Sequence, residues 1–237
     1  MTKKPIAIFD IDGTIFRSSL TVELFERLVI RGIIGRAGLL RVRASEKKWL
    51  DRVGHYDDYI RDLVVAYQKA IVGKKRADII KSCREVVKEQ RFRTYRYTLS
   101  LLAKIRGKYF TIGISGSPLE VVREYNKFLK FDKVYGTEIG VDECGRYTRV
   151  VLHEPPRYKK EVVIRYIKGH DMNFKNSMGV GDTESDIGFL ELVDKPIAFN
   201  PNTKLAKAAK KHRWPIVIER KDLVVELNPG QVKYLKI

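Results

Sequence analysis

Two aspartates one residue apart, Asp10 and Asp12, close a short apolar run over residues 6–9 and are followed by Gly13 and Thr14. Such a run reads as a buried parallel strand ending in a turn. Alternation along the strand points both carboxyl groups the same way while Ile11 faces the core. Two acids in one site can divide phosphoester hydrolysis into two steps. One carboxylate attacks phosphorus, and the other protonates the leaving oxygen and then activates water. Gly13 lets the backbone turn close to a phosphate and present N–H donors.

Carboxylates facing a phosphate repel it unless positive charge is added, and a magnesium ion supplies that charge through oxygen ligands. Asp10, the backbone carbonyl of Asp12 and Asp182 suit such an ion. Asp186, four residues beyond Asp182 at a strand-to-helix junction, can return to the same mouth and act through a water. Ser115 and Gly116 offer a hydroxyl and an N–H to phosphate oxygens at a helix start. Lys159 or Lys160, ahead of the helical pattern of Val162, Val163, Tyr166 and Ile167, would neutralise the charge that spreads over the phosphoryl oxygens.

These residues need elements to hold them. Apolar strands are expected at residues 6–9, 109–114, 177–180, 197–199 and, last, 216–218, with helices between them and a hairpin over 138–149. Ser117 reads as a helix N-cap and Pro118 as the first helical residue. Alternating strands and helices predict an α/β fold with a doubly wound, mostly parallel sheet. In such sheets the carboxyl ends of the strands line the ligand crevice, where Asp10, Ser115 and Asp182 fall. Residues 17–97 carry helical spacing and no convincing strand, so a helical cap is expected after the first strand. Residues 1–16 and 98–237 then form the core.

Phe9-Asp10-Ile11-Asp12-Gly13-Thr14, Ile114-Ser115-Gly116-Ser117, Lys159 and Gly181-Asp182-Thr183-Glu184-Ser185-Asp186 resemble, in order, the four motifs of the haloacid dehalogenase (HAD) superfamily. The resemblance implies Asp10 as nucleophile, Asp12 as general acid and base, and Ser115 and Lys159 as stabilisers of the phosphate and the intermediate. Gly13, Thr14 and Gly116 would lie at the phosphate, and Asp182 and Asp186 would be metal carboxylates for Mg2+. The Lys159-Lys160-Glu161 stretch is similar to that of phosphoserine phosphatases, which selects Lys159. A helical cap after the first motif resembles the same branch, whose members hydrolyse small phosphomonoesters through an aspartyl phosphate. At the position where phosphoserine phosphatases use a glutamate for their substrate's serine portion, this chain has Ser19, which argues against phosphoserine.

The 237 residues carry 47 lysines and arginines against 29 acids, a formal charge of +18, and are 44% hydrophobic, the balance of a globular chain rather than a disordered one. The charge suits an anionic partner such as nucleic acid, a membrane surface or a multiply phosphorylated substrate, or equally a charge-rich habit of the host's proteins, and the second reading is favoured because the bases run along the whole chain rather than in one block. The cap itself is basic, with Arg27, Arg31, Arg36, Arg41, Arg43, Lys47 and Lys48, and its Gly32, Gly35 and Gly38 read as lid turns. Cys83 and Cys144 read as free thiols. His153, His170, Trp49 and Trp214 read as structural. The apolar segment near the N-terminus is too short for a signal core or a membrane span, which predicts a cytoplasmic protein. Two alternatives remain open: phosphotransfer to an acceptor alcohol from the same aspartyl phosphate, and a non-catalytic anion-binding or nucleic-acid-binding protein on the same scaffold.

Overall fold

The computed structural model describes residues 4–155, 158–170 and 172–229. Its centre is an eight-stranded sheet in the order β4-β3-β2-β1-β5-β6-β7-β8. The inner strands are β1 (Ile6–Asp10), β2 (Phe110–Pro118), β3 (Lys133–Val141), β5 (Met178–Gly181), β6 (Lys195–Phe199) and β7 (Ile216–Arg220). All of these pair in parallel, while β4 (Tyr147–His153) and β8 (Leu223–Leu227) are antiparallel edges. From β1 the chain winds out through β2 and β3 on one side, then returns to β5 and winds out through β6 and β7 on the other. The order reverses at the β1/β5 boundary, where doubly wound sheets open a ligand crevice.

Residue alternation explains the two layers. Ile6 and Ile8 pack, with Ile112 and Ile114, against Val163 and Ile167 of α7 (Lys159–Gly169), Phe189 and Leu190 of α8 (Ile187–Leu190) and Leu205 and Ala209 of α9 (Thr203–His212). Ala7, Phe9 and Ile11 face the opposite way, onto α5 (Arg96–Ile105), α6 (Leu119–Leu129) and the helical insertion. The insertion holds α1 (Leu20–Ile30), α2 (Arg36–Leu50), α3 (Tyr56–Ile71) and α4 (Arg76–Gln90). Leu24, Phe25, Leu28, Leu63 and Tyr67 bury one apolar stripe in the same core as the sheet.

Three local expectations are corrected. Ser117 does not cap a helix: β2 continues through Pro118, and α6 starts at Leu119 with no side-chain cap. The strand at 216–218 is not the last, because Lys221, at positive φ, and Asp222 turn the chain into β8. Leu223, Val224 and Val225 are exposed there, so no burial alternation marked the strand. Gly38 is no lid turn: it lies inside α2, where a Cβ would sit 3.3 Å from Phe25 Cζ, so the glycine lets α2 approach α1. Gly35 precedes α2 and Gly32, at positive φ, follows α1, both in the connecting loop. Cys83 is buried and Cys144 exposed, and both are free. No helix among the described residues is long and apolar enough to cross a membrane.

Candidate active site

Strand β1 ends at Asp10, and the next residues fold back on themselves: Ile15 N and Phe16 N both donate to Ile11 O, and Gly13 N donates to Phe16 O. This turn requires Gly13 at φ 80°, and a Cβ there would lie 2.1 Å from Asp182 Oδ2. The backbone and Asp182 can approach so closely only because residue 13 lacks a side chain.

Asp10 is 4% exposed and Lys159 is also 4% exposed. Lys159 Nζ donates to Asp10 Oδ1 at 2.5 Å and to Asp186 Oδ1 at 2.6 Å. The other oxygen of Asp186 accepts from the backbone N–H groups of Asp182 and Thr183, each at 3.0 Å. Asp186 is thereby fully engaged, whereas Asp10 Oδ2 is buried with no hydrogen-bond partner among the described residues. Burial pushes Asp10 up to about 8, with Asp186 and Asp12 adding to the shift and Lys159 opposing it. Burial raises Asp182 as well, helped by Asp10 and Asp186. Lys159 moves up too: burial disfavours its charge, but Asp10 and Asp186 together outweigh that. Its neighbour Lys160 lies at the surface, 3.7 Å from Glu191.

Asp12 is half-buried and faces the same cavity. Leu20 N donates to its Oδ1 at 2.6 Å, Ser117 Oγ donates to Oδ2 at 2.9 Å, and Ser115 Oγ also donates to Oδ2. Burial raises its pKa while these donors pull it down. Ser115 is fully buried and its Oγ accepts from Ser117 N at 2.8 Å, so it aligns Asp12 while Gly116 and Ser117 line the cavity. Thr14 is also fully buried, and its Oγ1 donates to Asp182 Oδ1 at 3.1 Å.

The chain thus brings Asp10, Asp12, Ser115, Gly116, Lys159, Asp182 and Asp186 to one mouth, with Gly13 and Thr14 packed behind Asp182. Asp10, Asp182 and Asp186 can each present an oxygen within 4.8 Å of one another. The unpartnered Asp10 Oδ2 and the carboxylate of Asp182 form an oxygen donor set that fits a hard divalent cation.

Sequence reasoning missed several contributors. Ser117 and Thr21 form a buried pair, with Thr21 N donating to Ser117 Oγ at 3.0 Å. Alternation along an extended 115–117 segment would have revealed Ser117, since residues 115 and 117 then point the same way. Thr137 Oγ1 donates to the Gly116 carbonyl at 2.7 Å, across the sheet. Tyr56, Ile60, Arg61 and Val64 of α3 roof the cavity, whose volume is about 380 Å3. No local signal marks them, because the packing of the insertion alone brings them there. Ser19 lines the cavity as the N-cap of α1, its side chain accepting from Thr21 N.

The pattern of the family described as haloacid dehalogenase-like hydrolase matches residues 7–191, and the chain belongs to that family. A Streptomyces azureus protein named "Inhibition of morphological differentiation protein" is 27% identical over 221 residues, covering 89% of this chain and 77% of that protein. A histidinol-phosphatase of Neisseria meningitidis serogroup C is 21% identical over 234 residues, covering 90% of this chain and 98% of the relative. A solved phospho-aspartyl intermediate analogue of phosphoserine phosphatase superposes with a TM-score of 0.60 at 18% identity. It covers 93% of this chain and 96% of that one. The α/β sheet with its helical insertion is therefore a HAD-type fold.

Proposed function

We propose that this chain is a magnesium-dependent phosphatase that hydrolyses a small phosphomonoester through an aspartyl phosphate on Asp10. The carrying observation is the buried, unpartnered Asp10 Oδ2 flanked by Lys159, Asp12 and Asp182. Asp10 attacks phosphorus, so a carboxylate–phosphorus bond forms as the bond to the leaving oxygen breaks, and Asp12 gives that oxygen its proton. Water then attacks the phosphorus. Asp12 takes the water's proton, and inorganic phosphate leaves with Asp10 regenerated. The raised pKa of Asp12 suits a group that must start protonated.

Lys159 holds Asp10 in place and screens the oxygens as charge spreads, Ser115 and Ser117 orient Asp12, and the Gly116 backbone lies at the phosphate. Mg2+ held by Asp10, Asp182 and the Asp12 carbonyl, with Asp186 behind them, would supply the charge that draws the dianionic ester in. Residues 17–97 form a cap over the core of 1–16 and 98–237, and a cavity of about 380 Å3 suits a small ester. Ser19 offers a hydroxyl rather than a carboxylate to the substrate's alcohol portion, so the substrate is a phosphomonoester other than phosphoserine. The names of the histidinol-phosphatase and phosphoserine phosphatase relatives support this substrate class.

The test is phosphate release from 4-nitrophenyl phosphate, with and without magnesium, for the wild type and Asp10→Asn. The variant should lose turnover by at least about a thousandfold, of the order seen when a nucleophile is removed. Full activity in Asp10→Asn would discard the mechanism. A screen of phosphorylated metabolites would then identify the substrate, with phosphoserine expected among the poor ones.

A further inference from the structure

A second depression, of about 490 Å3, lies on the core between α6, β3 and α7, and among the described residues shares no lining residue with the cavity above Asp10. Three cations converge on it from three separate elements: Arg123 of α6, Lys133 of β3 and Arg165 of α7. None has a carboxylate within ion-pair distance among the described residues. Among the described residues Glu138 is the one acid in the lining, and it has no ion pair with any of them. Like charges gathered in one place repel, so their convergence does nothing for the fold. It does favour an anion.

One wall adds a second kind of recognition. The rings of Phe110, Tyr166 and His170 form a pile: Phe110 and Tyr166 are stacked at 5.6 Å, and Tyr166 and His170 at 4.0 Å with planes 21° apart. His170 is the outermost ring and is exposed, so a further planar group can extend the pile. Tyr135 stands edge-on to Tyr166, with Lys133 Nζ 5.3 Å from its ring centre. Leu119, Val134, Pro155 and Val162 give the depression apolar walls.

We propose that this depression binds a mononucleotide, its base stacked on the His170–Tyr166 pile and its phosphate held by Arg123, Lys133 and Arg165. Charge alone would suit inorganic phosphate or a sugar phosphate, and rings alone would suit an uncharged base. Their combination in a pocket of this size selects a ligand that carries both, and one too small to be a folded nucleic acid. The bound nucleotide would lie against α7, whose first residue is Lys159, which gives the site a route to the catalytic lysine.

The experiment is equilibrium dialysis of full-length Asp10→Asn, in which turnover is suppressed, against labelled AMP, ribose 5-phosphate or inorganic phosphate. One AMP per chain is expected, undisplaced by excess 4-nitrophenyl phosphate. The exposed double variant Lys133→Glu/Arg165→Glu should weaken AMP at least about tenfold, a modest loss for two charge-assisted contacts. His170→Ala should weaken AMP several-fold and leave ribose 5-phosphate unchanged, and an unchanged unfolding midpoint checks that each variant is folded. The proposal is overturned by the absence of saturable AMP binding, or by AMP that the aryl phosphate displaces and the double variant does not affect. It is equally overturned if ribose 5-phosphate binds as tightly as AMP, or if only single-stranded RNA binds.

Discussion

Lys159 and Lys160 are neighbours in sequence and opposites in environment. The first is buried between Asp10 and Asp186; the second is half-exposed beside Glu191. Lys159→Ala removes the cation that, among the described residues, alone pairs with the buried Asp10 and Asp186, and should cost about 3–5 kcal/mol, the range for a broken buried pair. Lys160→Ala should stay within about 0.5 kcal/mol. Denaturant unfolding of the two variants separates them, and equal losses would contradict the assignment. Gly13→Ala is expected to be nearly as severe for activity as loss of the nucleophile. Positive φ strains any side chain, and Asp182 must move away from a Cβ that would otherwise be 2.1 Å from its carboxylate. Turnover of 4-nitrophenyl phosphate should fall at least about a hundredfold, and a Gly13→Ala enzyme with ordinary turnover would refute this reading. The acids were legible in the sequence because they sit at strand ends with fixed spacing. The placement of Thr14 behind Asp182 was not, since a hydroxyl next to a phosphate-binding glycine gives no sign of which neighbour it will meet.

At the scale of elements, backbone hydrogen bonds help tie the insertion to the core. The entering and leaving strands of chain run side by side, with Arg17 N donating to Arg93 O and Tyr95 N to Ile15 O. The loop from α3 to α4 is also hydrogen-bonded to the β3–β4 turn, through Gly73 N to Tyr147 O and Arg76 N to Gly145 O. Glu219 of β7 anchors the return: its two oxygens accept from Arg96 N and Tyr97 N, both at 2.9 Å, at the start of α5. A helix start leaves such N–H groups without partners unless something caps them. Glu219→Ala should therefore cost about 1–3 kcal/mol, and Glu219→Gln, which keeps one acceptor, less. Equal unfolding midpoints for wild type and alanine variant would show that water replaces the carboxylate. The order of strands and helices was legible from apolar runs alternating with helical spacing. Long-range partners such as Glu219 and Thr137 were not, because no short-range pattern records which distant turn a carboxylate or hydroxyl will cap. Ser117 was read as a cap for the same reason: its residue type suits both a helix start and the pocket of Asp12, and only the length of β2 decides between them.

At the scale of the whole molecule, stability, protons and metal are linked through the same carboxylates. Asp10 is pushed up to about 8 and Asp182 upward by burial, whereas an unfolded aspartate ionises near about 3.9. Between those values the folded chain holds more protons than the unfolded one. The contribution of Asp10 is therefore fully present below the unfolded pKa and is lost as pH rises through about 8, and that of Asp182 is likewise lost as pH rises through its own raised pKa. The sign is the reverse of a salt-bridged surface aspartate, because here desolvation exceeds the pull of Lys159. A divalent cation competes for the same oxygens, so magnesium should displace protons and should stabilise the protein more as pH rises. Thermal unfolding in EDTA and in excess magnesium, measured from pH 6 to pH 8.5, is expected to show a gap that widens with pH. In Asp182→Asn the gap should shrink and lose most of its pH dependence, since that variant removes one donor and its proton together. The other ionisable groups of the molecule titrate in both proteins alike and cancel in the comparison. A gap that is constant across that range in the wild type would mean that Asp10 and Asp182 are already ionised without metal, and that Lys159 outweighs burial after all.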